Sequence, residues 1–340
     1  MNEFTKNKLL SIESKLIEHS FPPQLVIENT SMCDQQCIHC NHKELQRPKK
    51  VMKRDLWNKI VEEIGRDAPN TEIWPTFYGE ALGMGYEIWD RIKYADHCGC
   101  TNLVLNSNGG LLLKQNHIEN ILNSPLKRFI ISVDGFKKET YEKIRFRGKW
   151  ERTYAGIEEL LRRKKELNKL YPLITCQYSL MDENEDEVED FRHYWQIRGA
   201  EVKVRPKLEW TSSGSVVANN LDHHTNFRIA CPWGNNTMAI HQDGAVVACA
   251  VDWSAKVNIG NANDFTVKEL WDKLGILIRK PQREHNWCDL PNVCQGCVDW
   301  QTAGAEYEEG INLKGARPFW YDDNSTNFKI QKTAFEIKKG

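Results

Sequence analysis

The chain has 340 residues, 40% of them hydrophobic, with 46 basic and 47 acidic side chains and a formal net charge of −1. This length suits one large domain with an appendage or two domains, and the balanced charge gives no reason to expect a nucleic-acid or membrane partner. The longest apolar runs, such as 129–133, have strand length, and the N-terminus lacks the apolar core of a secretory signal. We therefore expect a cytoplasmic protein in which the eleven cysteines stay reduced.

Strand and helix patterns alternate through the first 206 residues. Apolar and β-branched runs predict strands at 24–30, 71–80, 101–110, 126–135, 172–180 and 200–206. Helical periodicity predicts helices at about 53–64, 86–98, 114–124, 150–170 and 184–199. Six units of this kind imply an α/β fold with a parallel sheet, either open and doubly wound or curled into a barrel.

After Pro206 the alternation ends. A linker is predicted at 211–220, a hairpin with strands at about 236–241 and 245–251, and a helix at 267–280. We divide the chain into an N-terminal extension (1–23), the α/β domain (24–210), a linker with a small hairpin and helix domain (211–303) and a polar tail (304–340).

Polar residues follow the predicted strands of the first domain. They are Cys33–Cys40, Gly79 and Glu80, Asn106–Asn108, and Ser132 with Asp134. The carboxyl ends of parallel strands share one edge of the sheet, so we expect these groups to form one site.

Three cysteines, Cys33, Cys37 and Cys40, lie in the loop after the first strand with the spacing Cys-x3-Cys-x2-Cys. A four-iron cluster is usually held by four thiolates, so three thiolates leave one iron open to another group. A structural zinc site would have to recruit His39 or His42 as its fourth ligand. The spacing leaves both centres open.

This segment resembles the signature of the radical S-adenosylmethionine (radical SAM) superfamily. In that family the open iron chelates S-adenosylmethionine, and one electron cleaves the cofactor to a 5′-deoxyadenosyl radical that abstracts a substrate hydrogen. The resemblance implies a partial (β/α)6 barrel of the TIM type, which agrees with the six units. It also favours the iron–sulfur cluster over zinc.

The segment "YGEA" resembles the family's glycine–glutamate motif, in which the backbone and the carboxylate meet the ammonium group of the cofactor. By this resemblance Tyr78, Gly79 and Glu80 bind the cofactor. The usual first glycine is replaced by Tyr78 and the usual proline by Ala81.

Four further residues match family segments near the cofactor. Asn108 lies in "NSNGG", and Ser132 in "SVDG" corresponds to a serine that contacts the ribose or the carboxylate. Arg145, or alternatively Arg147, matches an arginine that reaches the carboxylate, although a solvated face explains them equally well. His39 stands where the family often has an aromatic residue packed near the adenine.

A second cysteine group lies about 190–260 residues further along the chain. Cys231 and Cys249 flank the predicted hairpin, and Cys294 and Cys297 form a Cys-x2-Cys pair. The pattern resembles the twitch domain, the shorter relative of the SPASM domain, and implies one auxiliary cluster. The implied cofactors are thus two [4Fe-4S] clusters and S-adenosylmethionine.

The other cysteines are assigned to packing or left open. Cys98 and Cys100 are expected in the core, and Cys176 is expected to point away from the barrel lumen. Cys288 is a candidate for a replacement ligand, a catalytic hydrogen-atom donor or a buried thiol.

The leading hypothesis for the reaction is dehydrogenation of a sugar, polyol or aminocyclitol, with the auxiliary cluster accepting an electron. Only about 23 residues precede the first strand, too few for the leader-recognition domain of many peptide-modifying relatives. The alternative is a peptide maturase that forms crosslinks or epimerises, and a third reading is a non-catalytic metal scaffold.

His241, Asp243 and His285 are candidates for binding or deprotonating the substrate. A flavodoxin or ferredoxin is expected as the reducing partner.

Overall fold

The computed structural model describes residues 3–207, 224–249 and 251–301 and two short strands, Ile311–Asn312 and Arg317–Pro318. The linker at 211–220 and most of the tail lie outside the described residues. The eight strands of the main sheet are β1 (Gln24–Ile27), β2 (Glu72–Trp74), β3 (Asn102–Ser107), β4 (Arg128–Ser132), β5 (Leu173–Leu180), β6 (Glu201–Pro206), β7 (Thr237–Ile240) and β8 (Val246–Val247).

Helices follow most strands. They are α1 (Glu3–Glu13), α2 (Arg54–Asp67), α3 (Tyr86–His97), α4 (His117–Leu122), α5 (Lys138–Ile144), α6 (Trp150–Glu166), α7 (Val188–Gln196), α8 (Pro232–Asn236), α9 (Val267–Leu274), α10 (Lys280–Arg283) and α11 (Asn292–Gln295). A π-helical turn, Gly275–Arg279, joins α9 to α10. Helices α1, α5, α8 and α11 were not among the predicted elements.

The sheet order is β8-β7-β1-β2-β3-β4-β5-β6. Strands β1 to β6 pair in parallel, as expected for repeated βα units. One face packs against helices and contains the apolar core, including Trp57 of α2 and Trp89 of α3. The predicted α/β partial barrel is confirmed.

The opposite face of the sheet is polar and lines the lumen of the partial barrel. Gln177 Nε2 donates to Ser132 Oγ at 3.2 Å, and Ser132 Oγ donates to Asn106 Oδ1 at 3.2 Å. Because side chains alternate along a strand, Cys176 points the other way and packs in the core with Cys100. These two cysteines lie where the sequence predicted.

The predicted hairpin continues the main sheet. Strand β7 pairs in parallel with β1, from Gln24 opposite Thr237 to Ile27 opposite Ile240, and β8 returns antiparallel to β7. This pairing covers an edge of β1 that would otherwise expose unpaired backbone groups.

Several predicted strands are shorter in the structure, two of them by most of their length. The strand expected at 71–80 ends at Trp74, because Pro75 has no N–H to donate to a neighbouring strand. The strand expected at 245–251 contains only Val246 and Val247. After Trp74 the chain forms a loop at the carboxyl edge of the sheet.

Helix α9 is anchored to α2 at its N-terminus. Thr266 and Glu269 form a capping box, and the Glu63 carboxylate accepts hydrogen bonds from Val267 N at 2.9 Å and Lys268 N at 3.0 Å. Lys59 Nζ donates to the Ala262 carbonyl at 2.6 Å. These bonds hold the C-terminal segment against the barrel.

Candidate iron–sulfur and cofactor site

The first three cysteines lie together in the loop that follows β1. Cys33, Cys37 and Cys40 are all partly buried, and burial raises the pKa of each thiol, that of Cys37 to about 12. The thiols are therefore neutral near pH 7, and thiolate binding to iron would release protons.

A two-stranded ribbon holds the middle of this loop. Gln36 pairs with Phe146 and Cys37 with Arg145. Ile38 N also donates to the Ile144 carbonyl at 2.9 Å. The ribbon ties the cysteine loop to the segment after β4, so the position of Cys37 depends on a part of the chain more than 100 residues away.

The donor set fits an iron–sulfur cluster better than a single metal ion. Within 3–207, 224–249 and 251–301, no three His, Cys, Asp or Glu side chains converge closely enough to hold one ion. A cluster places each thiolate on a different iron, so its ligands need not converge on one point. In a bound cluster Cys33, Cys37 and Cys40 would hold three irons, and the fourth would supply the open coordination position.

Glu80 is buried beside this loop and accepts three hydrogen bonds. They come from Leu82 N at 3.0 Å, Ser107 Oγ at 2.8 Å and Asn108 N at 2.7 Å. Burial nevertheless raises the pKa of Glu80 to about 7, because desolvation outweighs these bonds. A cationic group brought to this carboxylate would be stabilised strongly. Glu80 and Asn108 thus lie together as predicted, although their contact with a cofactor stays a prediction.

Gly79 lies against the backbone of the cysteine loop. A Cβ atom on it would lie 2.0 Å from the Thr30 carbonyl oxygen and 2.8 Å from that of Met32. Glu80 N donates to the same Met32 carbonyl at 2.8 Å. Only glycine allows this approach, which places the glutamate next to the cysteines.

Tyr78 packs into a small apolar cluster between the two cysteine groups. It lies with Leu45 and Trp253, and Cys40 and Phe77 pack against the same cluster. Burial raises the pKa of the Tyr78 phenol well above its usual value, and the nearby thiols of Cys40 and of the auxiliary residue Cys249 add to the rise. Its predicted role in binding the cofactor stays a prediction.

His39 and Arg145 meet at one buried carboxylate. His39 Nε2 lies 3.3 Å from Asp134 Oδ2, and the Arg145 guanidinium donates to the same oxygen. Burial lowers the pKa of His39 to about 4, so its imidazole is neutral at pH 7. The Arg145 guanidinium also lies 3.8 Å from Cys37 Sγ, whereas Arg147 is exposed in the left-handed region at φ 71°. The proposed role of Arg145 toward the cofactor carboxylate stays a prediction.

The second cysteine group also comes together. Burial is the main cause that raises the pKa of the Cys249 thiol. The nearby thiols of Cys294, Cys297 and Cys231 raise this pKa further. Four thiols near one another can saturate a four-iron cluster. In a bound auxiliary cluster these four residues would be the ligands, and this ligand set stays a prediction.

Backbone carbonyls next to these cysteines are held by polar side chains. Arg228 donates to the Cys294 carbonyl at 2.6 Å, and Asn235 Nδ2 donates to the Cys231 carbonyl at 3.0 Å. Cys288 differs from the four, because it is exposed in a short turn, and its carbonyl accepts from Gln295 Nε2 at 3.0 Å. The structure does not bury this thiol, contrary to one of the three readings from the sequence.

The three further candidates have different surroundings. His241 directly follows β7 and is buried, and its ring lies tilted against that of Phe77 with a centroid separation of 5.8 Å. Burial lowers its pKa to about 3, and its Nε2 has no hydrogen-bond partner among the described residues. Asp243 Oδ1 accepts from Ala245 N at 3.1 Å within the hairpin turn, and His285 pairs with Glu13 at 2.9 Å.

A buried ion pair between the cysteine groups was missed by the sequence analysis. The Arg47 guanidinium donates to both carboxylate oxygens of Glu28, at 2.6 and 2.7 Å. It also donates to Gln242 Oε1 at 3.1 Å and to the Trp253 carbonyl at 3.2 Å. Glu28 lies in the run "VIENT", and a charged residue inside an apolar strand pattern was the available signal.

Comparison with known proteins identifies both domains. A model described as the radical SAM superfamily matches residues 27–194, and a SPASM model, described as an iron–sulfur cluster-binding domain, matches residues 231–298. An AdoMet-dependent heme synthase of Methanosarcina barkeri (strain Fusaro / DSM 804) is 22% identical and covers 81% of this chain and 91% of the relative.

Three solved structures share the fold at low sequence identity. Streptococcus suis SuiB bound to S-adenosylmethionine has a TM-score of 0.61 at 12% identity, covering 89% of this chain and 78% of SuiB. Native anSMEcpe with AdoMet and the Cp18Cys peptide has a TM-score of 0.58 at 15% identity, covering 93% of this chain and 98% of anSMEcpe. BtrN with AdoMet and 2-DOIA has a TM-score of 0.55 at 14% identity, covering 83% of this chain and 94% of BtrN.

These matches confirm the predicted cofactor classes, a [4Fe-4S] cluster with S-adenosylmethionine and auxiliary iron–sulfur chemistry. Among the described residues no helix is both long and apolar enough to span a bilayer. The cysteine loop, the glutamate beside it and the second thiol group agree with both matches, and the chain belongs to the radical SAM superfamily, with a SPASM-type domain after the barrel.

Proposed function

We propose that this enzyme dehydrogenates a small polyol, sugar or aminocyclitol. Bound S-adenosylmethionine would supply the radical chemistry that removes a hydrogen atom from a substrate carbon bearing OH or NH. Loss of a proton and an electron from the substrate would then give a carbonyl or imine, and a bound auxiliary cluster would serve as the electron acceptor.

The proximity of four thiols in the second group supports this reaction. Cys231, Cys249, Cys294 and Cys297 can saturate one cluster, which leaves no open iron and suits electron transfer. Cys249 also lies close enough to Tyr78 to affect its pKa, and Tyr78 packs with Cys40. The electron acceptor would thus lie near the site where the radical forms.

His241 is the residue that we propose to hold the substrate through a hydrogen bond. It lies at the carboxyl end of β7, which pairs with β1, the strand that precedes the cysteine loop. Its pKa is lowered to about 3 by burial, so the ring is neutral and its Nε2 has no partner within the described residues. A neutral imidazole with an unused nitrogen can accept a hydrogen bond from a substrate hydroxyl or amine.

Anaerobic reconstitution with iron and sulfide tests the cluster count. The wild-type chain should bind about eight irons, and Cys249→Ala should bind about four, because one cubane loses a ligand. Cys288→Ala is the matched control and should keep about eight, because this thiol lies outside the ligand set. About four irons in the wild type would remove the auxiliary acceptor and with it the proposed dehydrogenation.

Mass spectrometry of candidate polyols and aminocyclitols then tests the reaction itself. Dehydrogenation removes two hydrogens, so the product should be about two mass units lighter in ordinary and deuterated water alike. A product with one deuterium gained from the solvent would instead indicate epimerisation.

A peptide maturase is the second candidate, favoured by the exposure of Cys288. Epimerisation needs a thiol that donates a hydrogen atom, and an exposed cysteine beside the auxiliary group can reach a bound peptide. Cys288→Ala should then abolish deuterium incorporation into candidate peptides while cofactor cleavage continues. Unchanged incorporation would exclude this role.

A further inference from the structure

The ribbon that holds the cysteine loop has two faces with different chemistry. Cys37 and Arg145 are opposite each other and turn inward, and the Arg145 side chain reaches Cys37 and Asp134. Gln36 and Phe146, the adjacent pair, are exposed. A ligand of the first cluster therefore lies on the inner face of a ribbon whose outer face meets solvent.

The outer face is apolar at its centre and basic around it. Phe146 is 56% exposed and Ile38 42% exposed, unusual values for large apolar side chains. We call this surface the ribbon patch; its residues are Gln36, Ile38, Lys143, Phe146, Arg147 and Lys149.

The charge of the ribbon patch has one sign. Lys143, Arg147 and Lys149 are all exposed, and no acidic residue occurs between positions 143 and 149. The nearest acidic side chain in sequence is Glu142, whose Oε1 accepts from Trp150 N at 3.3 Å and caps α6. Glu139 lies about one turn earlier on α5. An apolar centre within a basic rim fits a partner with an apolar spot surrounded by carboxylates.

We propose that the ribbon patch is the docking surface for an acidic one-electron carrier protein that reduces the first cluster. The carrier loses one electron and the cluster gains it, and no bond forms or breaks. Cys37 offers a short route for this electron, because it is adjacent to Gln36 and Ile38 in the chain and lies on the other face of the same ribbon. The proposal depends on the family's need for an electron and not on the identity of the substrate.

Stopped-flow reduction of the reconstituted enzyme tests the proposal, with reduced flavodoxin as the acidic carrier. The variant carries Lys143→Glu, Arg147→Glu and Lys149→Glu, and the matched control reverses three exposed lysines elsewhere, Lys93→Glu, Lys165→Glu and Lys280→Glu. At low ionic strength the patch variant should be reduced about tenfold or more slowly, and high salt should narrow the difference. The control variant should keep most of the wild-type rate.

Reduced methyl viologen, a small cation, separates docking from damage to the cluster. It needs no basic surface, so its rate should not fall in the patch variant. Phe146→Ser keeps the charges and should weaken flavodoxin binding with little change in salt dependence. Equal flavodoxin rates in wild type and patch variant, or an equal loss in the control variant, would overturn the proposal. So would a wild-type dimer in sedimentation that the patch variant dissociates, because the patch would then join two copies of the chain.

Discussion

At the scale of single residues, the cofactor end of the barrel depends on close contacts that need particular side chains. Gly79 lets its loop contact the backbone of the cysteine loop, and three hydrogen bonds fix the position of the Glu80 carboxylate. His241 keeps a neutral ring at the end of β7 because burial lowers its pKa.

Replacement of Gly79 by alanine should displace the cysteine loop. The new Cβ would lie 2.0 Å from the Thr30 carbonyl oxygen, which is backbone and cannot rotate away. Gly83→Ala is the control, because no atom lies within 4 Å of its added Cβ. Iron analysis after reconstitution should give about four irons for Gly79→Ala and about eight for Gly83→Ala. Full iron content in Gly79→Ala would show that the loop tolerates the shift.

Replacement of His241 by phenylalanine should reduce the loss of stability in mild acid. The folded-state pKa of about 3 lies below the ordinary 6.5, so the unfolded chain binds a proton that the folded chain does not. The contribution of neutral His241 to the free energy of unfolding is therefore fully present above about pH 6.5 and is lost as the pH falls toward 3. When the pH is lowered from 7.5 to 5.5, the free energy of unfolding should fall by about 1.4 kcal/mol more in the wild type than in His241→Phe. Denaturant titrations at both pH values measure the difference, and identical losses would contradict it.

At the scale of elements, ionic and apolar contacts between loops hold the two cysteine groups in place relative to each other. Arg47 joins Glu28 at the end of β1 to Gln242 and Trp253 after β7. Tyr78 and Trp253 fill the space beside Cys40. Neither group could keep this arrangement from its own segment, because the contacts come from four separate parts of the chain.

Removal of Arg47 should destabilise the whole enzyme. Arg47→Met leaves Glu28 buried without its cation, which costs about 3–5 kcal/mol when one partner of a buried pair is lost. The double variant Glu28→Gln with Arg47→Met buries no charge and should be more stable than the single variant. Anaerobic denaturation curves of the three proteins test this order. A double variant less stable than Arg47→Met would show that the ion pair is not the source of the effect.

At the scale of the whole molecule, the auxiliary segment is an extension of the barrel. Strand β7 joins the sheet through β1, and α9 is capped by Glu63 of α2. Helix α1 reaches the same segment, because Glu13 Oε1 accepts from Ala230 N at 2.5 Å and Leu9 packs with Ile229 and Trp300. Helix α1 and the segment around Trp300 therefore meet beside Cys231.

Loss of the auxiliary cluster should loosen this extension and leave the barrel intact. Cys297→Ser removes one thiolate, and metal binding normally contributes several kcal/mol to the order of such segments. Hydrogen exchange measured anaerobically should quicken in residues 231–249 and stay unchanged in β4 and β5. Cys288→Ser is the control and should exchange like the wild type. Uniform protection in Cys297→Ser would show that sheet pairing alone holds the segment.

The sequence determined the class of this protein, because that information is local. Cysteine spacing, strand ends and helical periodicity each lie within a few residues, and they predicted six βα units, the two cysteine groups and the neighbourhood of Glu80 and Asn108. Long-range pairing was decided only by the tertiary structure: β7 beside β1, Cys37 opposite Arg145 and the Glu28–Arg47 pair. Such contacts depend on which distant segments best bury apolar surface and pair buried polar groups, and no local pattern encodes that choice.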